Sequence, residues 1–103
     1  DYSVVPALLD ILHSEVSDVR CAAVEALGNI GDYDVVPALL VMLFDTSPKV
    51  QLQAAGALAL LGDNTGIPIL ILGQRDGDVT IQEAANELLK AVERKRNDST
   101  TSV

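Results

Sequence analysis

Tryptophan is absent, and two Tyr and one Phe are the only aromatic side chains among 103 residues. A ligand pocket walled by aromatic rings has little to be built from. One cysteine, Cys21, excludes an internal disulfide framework and any multi-cysteine metal site. One histidine, His13, leaves zinc without a ligand set. No apolar run approaches the roughly 18 residues of a membrane-spanning helix. GIPILILG, for example, has eight. There is no secretory leader pattern either. No metal, cofactor or membrane is therefore expected. The single thiol fits a reducing compartment, and a cytoplasmic location is the expectation.

Positive charge is scarce and unevenly placed. The formal net charge is −8, and Lys90, Arg94, Lys95 and Arg96 supply four of the seven basic residues. Residues 1–89 carry three basic against thirteen acidic side chains, a net of −10. Such a body repels phosphate backbones, so nucleic acid is not expected as a partner. A basic protein or peptide is favoured.

What the chain has in abundance is Ala, Val, Leu and Ile, and it has them in register. DYSVVPALL at Asp1 returns as DYDVVPALL at Asp32. A shift of 31 residues aligns Asp1–Gly31 with Asp32–Gly62 without a gap, with fourteen identical pairs. A third copy follows from Asp63 more weakly. Pro6, Pro37 and Pro68 coincide, as do Ala23, Ala54 and Ala85, and Leu27, Leu58 and Leu89. A fixed period of this length marks a stacked repeat. Asp1 falls at a repeat boundary and is not Met, so the chain reads as a piece of a longer one.

Each unit predicts two helices. Ser3, Asp34 or Thr65 caps the first, with Pro in its first turn, where a missing N–H costs nothing. Val5, Leu8, Leu9 and Leu12 then form one apolar stripe. The second helix starts near Ser17, or at Ser47 with Pro48 behind it. Val19, Ala23, Ala26, Leu27 and Ile30 share a face at about 100° per residue. Gly31 and Gly62 end the second helices, since a left-handed residue costs glycine little. The small residues Ala22, Ala23, Ala26 and Gly28, with Ala54, Ala55, Ala57 and Ala59, would let second helices lie close. In the third unit GIPILILG resembles a strand taken alone, but the register argues for a short helix ended by Gly73. The last helix is expected from about Asp78 to Arg94, with a polar outer surface. A two-helix unit cannot bury its stripe alone, so the units must stack. The expectation is all-α: an α-solenoid of three antiparallel helix pairs (1–31, 32–62, 63–95), with 96–103 a mobile tail.

The segment DVRCAAVEALGNIGDYDVVPALLVML resembles HEAT repeats, in the short form first described in phycobilin lyases. Val19, Arg20, Ala23, Ala26, Leu27, Gly28, Ile30, Gly31 and Asp32 match that pattern, as do Val36, Pro37, Ala38, Leu39 and Leu40. Gln51 and Ala59 depart from it in the second unit. The resemblance implies a right-handed solenoid with the second helices on its concave side. It implies little about function, since such repeats occur in scaffolds, lyase subunits, iron-dependent hydroxylases and accessory domains. The hydroxylases bind iron through His-Glu pairs, and no His-Glu dipeptide occurs here.

No catalytic constellation stands out. His13 reads as a surface residue, Cys21 as an unreactive thiol, and GDNTG lacks the lysine of a phosphate loop. Arg20 is expected to pair with a neighbouring Asp, such as Asp34 or Asp18. The final Thr-Ser-Val has the form of a PDZ-domain ligand. The best candidate is a surface. Cys21, Glu25, Asn29, Lys49, Leu52, Gln53, Gly56, Leu60, Glu83 and Glu87 would face the concave side, with Leu52 and Leu60 as its apolar centre and acids around it. That combination suits a basic amphipathic helix. A second surface, around Val4, Val5, Leu8 and Val16 at the N-terminal end, would expose apolar residues and favour self-association. The expected function is non-catalytic protein binding. The alternatives are a subunit or accessory domain of an enzyme, such as a bilin lyase, and a structural oligomerisation module.

Overall fold

The computed structural model of the chain describes residues 2–101, with side chains through residue 98. Among the described residues, six α-helices follow one another in three pairs: α1 (Val5–Ile11) with α2 (Ser17–Ile30), α3 (Val36–Met42) with α4 (Pro48–Leu60), and α5 (Ile67–Gly73) with α6 (Val79–Thr101). Short 3₁₀ turns, Tyr2–Val4 and Tyr33–Val35, lead into α1 and α3. No strand occurs among the described residues, so GIPILILG is helical, as its place in the repeat demands. The chain is an all-α solenoid. The second helices form one layer, with α4 packed against both α2 and α6, and each first helix lies against its own second helix.

The sequence explains the ends of these helices. Proline occupies the first turn of α1, α3, α5 and α4. Ser47 caps α4, its Oγ accepting from the Val50 N–H at 3.4 Å. Gly31 and Gly62 take φ of 81° and 89°, a left-handed conformation that only glycine adopts cheaply. The caps expected at Ser3, Asp34 and Thr65 are not the ones used. Asp32 and Asp63, two residues before Asp34 and Thr65, accept from the N–H groups of those residues at 2.9 Å. An aspartate here forms a local Asx turn that starts the chain upward before the helix proper.

The core runs through the whole stack. Leu27, Leu39, Leu58, Leu70, Val24 and Val50 are fully buried. Helix α4, at the centre, is buried nearly all round, from Ala54 through Ala59. Its small residues make this possible. A Cβ on Gly28 of α2 would stand 2.8 Å from Ala57 Cβ and 3.0 Å from Ala57 Cα. A Cβ on Gly66, ahead of α5, would stand 2.7 Å from Ala55 Cα. Both helices approach the backbone of α4 more closely than any side chain would permit. Ala22, by contrast, is exposed and takes no part in this contact.

An ion pair crosses between units. Arg20 of α2 grips Asp45, in the loop before α4, through Nε–Oδ1 at 3.0 Å and Nη2–Oδ2 at 2.9 Å. Its Nη1 donates to the Ser14 carbonyl at 2.8 Å. The partner is an aspartate of the neighbouring unit, as expected, but Asp45 rather than Asp34 or Asp18. From α2 the guanidinium reaches the helix-connecting loop of the next unit. At the far end, α6 runs past the boundary expected at residue 95. Lys95 donates to the Leu60 carbonyl of the second unit and Arg96 to Asn64 Oδ1 at the start of the third, so residues 95 and 96 are tied to the end of α4 and the turn after it. Of the C-terminal Thr-Ser-Val, Ser102 and Val103 lie outside the described residues.

The hydrogen bonds from Arg20 hold the Asp45 carboxyl below its ordinary range, against the opposing effect of partial burial, with the Ser47 N–H adding to the lowering. A folded-state pKa below the unfolded one contributes stability at neutral pH that is lost as pH falls. Wild-type protein should therefore melt higher than Asp45→Asn at pH 7, and the gap should close between about pH 5 and pH 2. Thermal unfolding followed by circular dichroism across that range checks it. A gap that stays constant would mean that the carboxylate charge contributes nothing.

Candidate functional site

The layer of second helices carries a groove of about 260 Å³. Helix α2 contributes Glu25 and Asn29, one turn apart on its exposed side. Helix α4 supplies the floor with Gln53, Gly56, Ala57 and Leu60, and α6 closes the far side with Ala84, Glu87, Leu88 and Ala91. The floor is low because Gly56 has no side chain: a Cβ there would meet Leu88 Cδ2 at 2.8 Å. Leu88 leans over that position and, with half-buried Leu60, forms the apolar part of the lining.

Six of the ten residues expected on this face line the groove together: Glu25, Asn29, Gln53, Gly56, Leu60 and Glu87. Glu83 is exposed on α6 but does not line it, and Lys49 is exposed at the start of α4. Cys21 is half-buried against the core, and burial pushes its thiol pKa up, with Asp18 and Asp45 adding to the effect. That is the environment of a protonated, sluggish thiol. Leu52 is a correction. It is 3% exposed and belongs to the core, its Cδ2 lying 3.0 Å from where a Gly73 Cβ would be. The third unit turns it inward: α5 covers that side of α4, whereas α2 carries only Cys21 at the matching position. Leu88 is the residue that reading by pattern missed. It stands where the earlier units carry Ala26 and Ala57, so one large side chain at a small-residue position was the available signal.

At the N-terminal end, Val4 and Val16 are exposed, Leu8 is half-buried, and Val5 is not available: it is 7% exposed, packed into the core. Val19 joins the exposed set at 42%, while its counterpart Val50 is fully buried.

The electrostatics of the groove are one-sided but mild. No basic side chain lines it. Glu87 is met by Lys90 at 3.6 Å, yet both are largely exposed, and such a pair is worth little. No group of three or more His, Cys, Asp or Glu is arranged to hold a metal among the described residues. No helix among them is long and apolar enough to cross a membrane.

A family profile for HEAT repeats matches residues 5–94. The chain belongs to the HEAT repeat family. Comparison with curated proteins gives no match. HEAT repeats generally serve as protein-interaction scaffolds, and the groove lies on the face where this HEAT stack presents its second helices.

Proposed function

We propose that this chain is a non-catalytic protein-binding module, and that the groove between α2, α4 and α6 receives a basic amphipathic helix. The observation that carries this reading is the lining itself. Leu60, Leu88 and three alanines make an apolar floor, and Glu25 and Glu87 stand at opposite walls with no cation between them. An amphipathic helix would lay its aliphatic side chains on that floor and its Lys or Arg residues against the two glutamates. The net charge of −10 over residues 1–89 would steer such a partner in. Its lone thiol suits work in a reducing compartment such as the cytoplasm. We assign the units to the short phycobilin lyase-type form of the repeat, on the 31-residue period and the match from Val19 to Asp32.

A designed 18-residue helical peptide with a leucine stripe and lysines on its flanks tests the groove, beside a glutamate-flanked control. The lysine peptide should bind, and its affinity should fall with salt. Leu60→Asp should weaken it by about tenfold or more, since about 1.4 kcal/mol is one decade. Equal binding of the acidic control, or of the Leu60→Asp protein, would overturn the reading.

The N-terminal end supports a second interaction, with another copy of the chain. Val4 is 48% exposed and its counterpart Val35 only 2%, so the position that the stack buries in the second unit is open in the first. Val16, at 57%, extends the same exposed set. Sedimentation equilibrium should show concentration-dependent dimers that Val16→Asp reduces. A clean monomer at high concentration would contradict self-association.

A further inference from the structure

The three units repeat a small device in the loop between their helices. Ser14, Asp45 and Asp76 occupy one repeat position, and each side chain accepts from the N–H two residues on, at 3.1, 2.9 and 2.8 Å. Arg20, Gln51 and Gln82 occupy another. Each donates back to the loop carbonyl of its own unit: Arg20 to Ser14, Gln51 to Asp45 at 2.6 Å, and Gln82 to Asp76. At the first junction Arg20 does one thing more. Its fork continues into the next unit and closes on Asp45 with two parallel bonds. At the second junction Gln51 is too short to do so. Asp76 carries the same carboxylate, fixed by the same turn, and takes part in no ion pair among the described residues.

The space is still there. A cavity of about 220 Å³ lies at this second junction, with Gln51 and Asp76 among its lining. Its apolar wall comes from Leu52, Ile69, Leu72 and Ile81, and no basic residue lines it. Asp76 and Leu72 are exposed, so the cavity opens to solvent. The first junction shows what chemistry such a place accepts: a planar guanidinium on the carboxylate, with an aliphatic stem against the packed helices.

We propose that this vacant rung binds an arginine side chain supplied by a partner protein, its guanidinium forking onto Asp76 as Arg20 does onto Asp45 and its methylenes covering Leu72 and Ile69. The site lies at the α4–α5–α6 junction, separate from the groove, and stands whether or not the groove binds a helix. Arginine is preferred over lysine because the fork, not the charge alone, matches a carboxylate held in one orientation.

The test is an NMR titration of the full chain with acetyl-Ala-Arg-Ala-amide and its lysine analogue. The arginine peptide should shift the Asp78 backbone amide and the Gln51 side-chain amide, binding more than about fivefold tighter than the lysine peptide. Asp76→Asn keeps an acceptor for the Asp78 N–H, so the turn survives, and it should abolish the response. Gln51→Arg should close the rung within the chain, raising the melting temperature and also abolishing the response. An equal response to lysine, or one that persists in Asp76→Asn or in folded Gln51→Arg protein, would overturn the proposal.

Discussion

The stack depends on how closely α2 and α4 approach at Gly28. Bare backbone on one helix meets Ala57 on the other, and that spacing sets everything lateral to it. It places Val24 and Leu27 of α2 in full contact with the centre of the core. It leaves Glu25 and Asn29 close enough to α4 to share a groove with Gly56 and Leu60. It also brings the end of Arg20 within reach of the next loop. Dispersion between closely packed helices is weak per contact and large in sum, so a separation of a few tenths of an ångström is felt along the whole interface.

Much of this was legible in the residues. The 31-residue register identified the helix pairs, the prolines located the starts of the first helices, and Gly31 and Gly62 located the ends of the second. Six of the groove residues could be placed because side chains one turn apart on a helix share a face. What the period could not supply was reach. Arg20 bonds to a loop 25 residues away, and nothing in helical spacing says which loop a long side chain will find. Nor could the period supply neighbours. Leu52 and Cys21 hold the same repeat position, yet one is core and the other half-exposed, because different helices cover them. The extension of α6 past residue 95 was hidden for a related reason: its polar composition reads as solvated chain, while Lys95 and Arg96 tie it to Leu60 and Asn64.

The functional surfaces arise where the repeat is broken. Three identical units would present three identical faces. Here Leu88 replaces the alanine of the first two units and gives the groove its wall. Gln51 replaces arginine and leaves a carboxylate with no cation at the second junction. The regular positions, Leu27 with Leu58 and Ala23 with Ala54 and Ala85, stay buried and hold the scaffold together. In a stack of near-copies, departures from the consensus are the economical place to look for specificity.

The close approach of α2 and α4 is tested most directly by Gly28→Ala. Helix propensity alone favours alanine over glycine by about 0.5–1 kcal/mol, so a helix with room to spare would gain stability. A close-packed contact behaves in the opposite way, and overpacking costs about 1–3 kcal/mol. Chemical unfolding of the two proteins side by side decides the sign. The account predicts a less stable Gly28→Ala protein, with the helices forced apart. A variant as stable as the wild type, or more so, would contradict it.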